Sequence, residues 1–282
     1  MINKSRIIIY YQTLIDLNPL INLVKSKQED IVTDITLASI HFGTNNDKTN
    51  SPYIHLNNNT PNSKTFDVVY SQLKEIKNLK QNDEININLL IGGAGTAFNQ
   101  LFSNYDCYYN LLKTALENEL NFIDGFNLDI EEEVDLNNII KFVNDLKQDF
   151  PDKKIIFAPL AESIATDAPG MGGFSYKDLN NKIGDKIEYF NIQCYGEYSL
   201  SLFNKMVSNG YEPNKIVMGM LTGQDFNKII DEVETIVSET QKTHKIFGGV
   251  AVWEYFNAPP SSPEHPFVWC EIMSHLLYDT SP

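Results

Sequence analysis

Asp129 and Glu131 stand two residues apart near the middle of the chain, in the run Asp124-Gly125-Phe126-Asn127-Leu128-Asp129-Ile130-Glu131-Glu132-Glu133. Carboxylates this close, ~6.6 Å apart along an extended backbone, repel when both are ionised, so one pKa is driven up. A raised carboxyl pKa is what a general acid needs at neutral pH. Alternate side chains of a strand face opposite ways, which puts Asn127, Asp129 and Glu131 on one face and Phe126, Leu128 and Ile130 on the other. Spacing alone leaves two readings open. Glu131 is a rim acid with Asp129 behind it, or the three polar residues fill the centre of a barrel and Glu131 opens a solvated run through Glu132 and Glu133.

The elements that must position this pair read as strands alternating with helices. Strand-like apolar runs fall at Ile7–Gln12, Ile35–Phe42, Ile85–Ile91, Phe122–Glu131, Ile155–Pro159, Tyr189–Tyr195, Ile216–Met220 and Val250–Tyr255. Most are near-continuous, as parallel strands covered on both faces are. Between them lie helical patterns, the clearest being Leu136, Ile139, Ile140, Val143 and Leu146 with Asp135 as N-cap, and Phe226, Ile229, Ile230, Val233 and Ile236. Eight such units of ~35 residues predict a single α/β domain over 1–282, a (β/α)8 TIM barrel. The alternative, a doubly wound sheet, calls for a glycine-rich phosphate turn after an early strand. Gly92-Gly93-Ala94-Gly95 lacks that spacing and reads instead as close backbone packing at the barrel mouth. Gly43–Lys64 reads as a long loop after the second strand, at the end of the barrel where function sits.

Composition narrows the partners. The 282 residues carry a formal net charge of −15 with no basic run, which argues against nucleic acid and anionic membrane and is compatible with a neutral ligand such as a sugar. Cys107, Cys194 and Cys270 form neither a disulfide framework nor a zinc pattern and read as buried thiols. His41 ends the second strand, where it could face a pocket, but no second ligand is spaced with it for a metal. His55, His244, His265 and His275 fall on loops or the last helix. No metal and no cofactor is expected, and the protein is expected to act as a monomer. The chain as given shows no export signal, so the expected location is cytoplasmic or non-classically released, or secreted if a signal was removed.

The strand at Phe122–Glu131 resembles the D-G-x-D-x-D-x-E signature of glycoside hydrolase family 18, the chitinase family. Asp124, Gly125, Asp129 and Glu131 match in place, and Asn127 stands for an aspartate. Ile9-Tyr10-Tyr11, Leu90-Ile91-Gly92-Gly93, Ala158-Pro159, Asn191-Ile192-Gln193-Cys194-Tyr195 and Gly248-Gly249-Val250-Ala251-Val252-Trp253 are similar to further strands of that family, in the same order. Glu254-Tyr255-Phe256-Asn257 is like a compact fungal and bacterial subgroup. Taken singly, Trp253 and Tyr10 read as core aromatics, Tyr195 as a strand-end tyrosine and Gln193 as part of a buried network; their joint placement carries the resemblance.

The resemblance implies hydrolysis of β-1,4 N-acetylglucosamine linkages with retention, the substrate's own 2-acetamido group acting as nucleophile. On that pattern Glu131 protonates the glycosidic oxygen and later activates water, Asp129 orients the acetamido nitrogen, and Tyr195 hydrogen-bonds the acetamido oxygen. Trp253 stacks under the sugar, with Gln193, Tyr10 and Asn127 as further substrate-binding residues. Two departures stand out. Asn127 removes the innermost negative charge, implying altered pH dependence or a lower rate. The short stretch Leu221–Gln224 leaves no room for an α+β insertion domain, implying a shallow, open groove. The substrate is then chitin or chito-oligosaccharide, or alternatively an N-glycan core cut by an endo-β-N-acetylglucosaminidase. A non-catalytic glycan-binding or storage barrel is the competing class, since fold does not entail activity.

Overall fold

The computed structural model describes residues 4–27, 29–44, 51–79, 84–243 and 245–278. Its strands are β1 (Arg6–Tyr11), β2 (Asp34–Thr44), β3 (Pro52–Leu56), β4 (Asn86–Gly92), β5 (Gly125–Asp129), β6 (Lys154–Phe157), β7 (Ile187–Gln193), β8 (Ile216–Leu221) and β9 (Gly249–Trp253). All but β3 run parallel in chain order, and β9 pairs back on β1, closing an eight-stranded barrel. Each of the eight predicted runs coincides with a barrel strand to within a few residues. Helices follow in turn: α1 (Asn18–Ser26) after β1, α2 (Asp67–Lys77) after β3, and α3 (Ala97–Ser103) and α4 (Tyr105–Glu117) after β4. Next come α5 (Leu136–Asp149), α6 (Ala161–Ala165), α7 (Tyr176–Ile183), α8 (Leu200–Ser208), α9 (Phe226–Lys242) and α10 (Phe267–Tyr278). The described residues form a single (β/α)8 barrel with no domain inserted between β8 and α9, which only Thr222–Asp225 separate.

The strand sequences explain the two packing layers. Outward side chains such as Ile9, Ile35, Leu89, Phe126 and Leu128 join the helices in one continuous core. On α5 the buried Ile139, Phe142, Val143 and Leu146 form the stripe that meets it, and Asp135 caps the helix by accepting from the Asn137 N–H at 2.7 Å. Inward side chains are a smaller set, Ile8, Tyr10, Ala38, Leu90, Ile156, Tyr189, Val217 and Ala251, interleaved with polar groups. At the bottom of the barrel Asn88 donates to Asp34 (3.1 Å), and the Arg6 guanidinium lies 4.3 Å over the Tyr189 ring.

Two sequence expectations need correction. The long connection Gly43–Lys64 contains a strand: β3 pairs antiparallel with the upper half of β2, with His41 opposite His55 and Gly43 opposite Tyr53. Its Asn- and Thr-rich flanks mask a short alternation in which Ile54 and Leu56 are buried. Residues 45–50 of that stretch, and His244, lie outside the described residues. Cys194 and Cys270 are buried as predicted, but Cys107 is only half-buried because α4 turns it toward the surface.

Candidate active site

Strand β5 delivers the carboxyl pair to the C-terminal mouth of the barrel. It ends at Asp129, so Glu131 sits two residues beyond its last paired residue. The Gly92-Gly93 turn of β4 closes on this point. Gly92 has φ +98°, and a Cβ there would lie 2.2 Å from the Asp129 carbonyl oxygen and 2.6 Å from the Phe98 ring. The Gly93 N–H donates to that same carbonyl at 2.9 Å. Glycine is required because a side chain would push β4 off β5 where Asp129 is held.

Asp129 is 7% exposed. Burial raises its pKa well above the ordinary carboxyl value, the charges of Glu131 and Glu132 add to this, and a hydrogen bond from Gln193 opposes it. Of the crowded acids, Asp129 is therefore one held toward its neutral form. The Gln193 amide donates to Asp129 Oδ1 and to the Ala158 carbonyl, both at 3.0 Å, so Gln193 orients the carboxyl from the neighbouring wall. Tyr195 follows β7 and is half-buried; burial, then the negative charges of Asp129 and Glu131, push its phenol pKa up, keeping the hydroxyl protonated and able to donate.

Glu131, Asp129, Gln193, Tyr195 and Trp253 all line one cleft of about 310 Å³. Gln12, Ser39, His41, Leu90, Gly92, Gly93, Ala94 and Leu221 complete its walls, and of these the sequence points only His41 toward a pocket. The structure thus gathers five of the seven predicted site residues. The other two lie underneath. Tyr10 is 5% exposed and Asn127 fully buried, and neither reaches the cleft surface. The Tyr10 hydroxyl accepts from the amides of Asn127 and Asn191, each at 2.8 Å, and its ring meets Trp253 edge-on at 5.1 Å. They are supports for the floor, because an inward side chain one layer below the strand ends is covered by the layer above it. Asn127 spends its amide on Tyr10, and Asp129 takes its hydrogen bond from Gln193.

Further positioning residues emerge only in three dimensions. The Gln224 amide donates to the carbonyls of Cys194 (3.2 Å) and Tyr195 (2.9 Å), while its Oε1 accepts from the Leu221 N–H at 2.7 Å. This ties the ends of β7 and β8 together under Tyr195. Glu254, beside Trp253, accepts from the Thr13 N–H (2.7 Å) and hydroxyl (2.6 Å), fixing the end of β1 to that of β9. Glu132 is half-buried, not solvated: its Oε1 accepts from the Phe98 and Asn99 N–H groups at the start of α3. Among the described residues, no three His, Cys, Asp or Glu side chains are placed to hold a metal ion.

No family model and no curated protein matches the sequence. Solved structures do. A fungal endo-β-N-acetylglucosaminidase of glycosyl hydrolase family 18 is 26% identical with a TM-score of 0.82, covering 98% of this chain and 99% of its own. A chitinase from Aspergillus fumigatus is 27% identical with a TM-score of 0.76, covering 96% and 98%. The catalytic domain of a chitinase from Pyrococcus furiosus, 14% identical with a TM-score of 0.67, shares the fold over 96% of this chain and 95% of its own.

Proposed function

We propose that this chain, a glycoside hydrolase of family 18 type, cleaves β-1,4 linkages of N-acetylglucosamine in chitin-type glycans with retention of configuration. The observation that carries the reading is the convergence of Glu131, Asp129, Tyr195 and Trp253 on one cleft at the C-terminal mouth of a barrel. With a sugar seated over Trp253, Glu131 protonates the glycosidic oxygen as the acetamido carbonyl attacks the anomeric carbon. Tyr195 donates to that carbonyl oxygen and fixes its line of approach. Asp129 accepts from the acetamido N–H. Burial opposes a charge on Asp129 in the free site, but the cationic oxazolinium ion favours it, so this interaction strengthens toward the transition state. Glu131 then activates the water that opens the intermediate.

The open mouth favours one refinement. The four-residue turn from β8 to α9 builds nothing above Leu221 on that side, which suits endo cleavage within a larger glycan, including the chitobiose core of an N-glycan. Scattered rather than clustered exposed apolar residues, Val68, Met171 and Leu221 among the described residues, fit a monomer. A binding-only barrel is the weaker reading, since both carboxyls are retained and Asp129 is tuned by its surroundings. The test is hydrolysis of labelled chito-oligosaccharides and of a chitobiose-core glycopeptide by the wild type and Glu131→Gln, with product anomers followed by NMR. Retained β-anomer lost in Glu131→Gln supports the proposal. Glycan binding with no cleavage at any pH refutes it.

A further inference from the structure

We propose that His41 and His55, on the hairpin formed by β2 and β3, make a second saccharide subsite that hydrogen-bonds hydroxyl groups of the sugar next to the one over Trp253. The proposal rests on the glycan reading above and extends it to the unit beyond the cleavage site.

Three sets of observations place a built, polar wall there. First, His41 lines the cleft, and His55 sits directly opposite it in the β2–β3 register. Their rings stack with centroids 5.6 Å apart and an interplanar angle of 12°. Tyr53 continues the row, 5.6 Å from His55 at 34°, its ring lying over Gly43, where a Cβ would approach it to 3.2 Å. Second, the hairpin is held from behind. Phe42, Ile54 and Leu56 are buried in the core, and the Asn57 amide donates to the carbonyl of Gln12, itself a cleft residue, at 2.6 Å.

Third, the hydrogen-bonding character of the rings is set by the protein. The Asn58 N–H donates to His55 Nδ1 at 3.3 Å, which leaves the proton of the neutral ring on Nε2, as a donor. The His41 ring is hydrogen-bonded by the Gly92 backbone and lines the cleft. Burial lowers the pKa of both imidazoles, and for His41 the neighbouring His55 lowers it further, so both are neutral at pH 7. Stacking occupies the faces the rings turn toward each other and leaves their edges for contact. Neutral imidazole edges on a protein of net charge −15 suit vicinal hydroxyls, which both donate and accept, and give no attraction for an anion. Ring faces turned toward each other do not converge on a metal, and no third ligand stands with them among the described residues.

The experiment compares p-nitrophenyl N-acetyl-β-D-glucosaminide, which carries one sugar, with N,N'-diacetylchitobiose, which carries two, measuring affinity by calorimetry in the Glu131→Gln background and kcat/KM in the active protein. His55→Phe keeps the stacked ring and removes the N–H; His55→Gln restores a donor. One lost hydrogen bond to a neutral hydroxyl corresponds to about a five- to tenfold loss. His55→Phe is therefore expected to lower the two-sugar to one-sugar ratio of both affinity and kcat/KM by about that factor, with His55→Gln recovering part of it. Unchanged ratios in His55→Phe, with cleavage intact, overturn the subsite alone. Absence of any oligosaccharide binding in the Glu131→Gln protein overturns both this inference and the proposed function.

Discussion

Substituting Gly92 by alanine tests whether the close approach of β4 to β5 is what holds Asp129 in place. The new Cβ would lie 2.2 Å from the Asp129 carbonyl oxygen, about 1.2 Å inside the 3.4 Å at which ordinary contact begins. Backbone strain also enters, because Gly92 has φ +98°. Gly210, with φ +101° and nothing within 4 Å of the point a Cβ would occupy, supplies the control for strain without a clash. Left-handed geometry costs a non-glycine residue about 1–2 kcal/mol, and overpacking adds about 1–3 kcal/mol. Gly210→Ala is thus expected to lose about 1–2 kcal/mol and Gly92→Ala about 2–5 kcal/mol. The larger effect is on rate. Relieving the clash separates the strand ends by about 1 Å at Asp129, the proposed acetamido partner, and a displacement of that size costs about a hundredfold. Chemical denaturation gives the stabilities, and turnover of a labelled chito-oligosaccharide gives kcat. Equal stability losses in the two variants, with kcat of Gly92→Ala unchanged, would refute the reasoning.

The other expectations concern the buried polar groups. Asp129 has a folded-state pKa raised by burial above its ordinary value of 3.8, so between those two pH values the folded chain holds a proton the unfolded chain has released, and stability falls as pH rises through that window. Asp129→Asn should therefore melt higher than the wild type at pH 7 and like it near pH 3, while losing activity; a lower melting temperature at pH 7 contradicts the assignment. Asn127→Asp places a carboxyl at a fully buried position beneath Asp129, and its melting temperature should fall with rising pH more steeply than that of the wild type. Gln224→Ala removes the two bonds to the Cys194 and Tyr195 carbonyls; stability should drop by about 1–3 kcal/mol and kcat more than KM should suffer, whereas a pure KM effect would show that Gln224 does not position Tyr195.

Much of the barrel was legible because local periodicity carries it. A parallel strand sheathed by helices must be apolar on its outer face along its whole length, and the eight runs show this directly. The helix at Leu136–Asp149 advertised its stripe and its Asp135 cap in the same way. β3 escaped notice because five residues supply too little alternation to stand out from flanking asparagines, and its pairing with β2 is a tertiary fact. His41 consequently looked solitary, although the hairpin sets His55 against it.

The amino-acid order by itself determined which chemistry the chain carries: two carboxyls on one strand face, a tyrosine and a tryptophan at the ends of later strands, and glycines where β4 must come close. Those are consequences of side-chain type and of the two-residue period of a strand. Which acid is perturbed, what orients it and which residues touch the cleft were decided only by folding. Asp129 is raised because it is enclosed, and Gln193, 64 positions along the chain, holds it. Asn127 turns to Tyr10, 117 positions away, and so becomes part of the floor. Desolvation and hydrogen bonding act through distances that only barrel closure makes short, which is why the motif named the candidate groups while the tertiary structure assigned their surroundings and their supports.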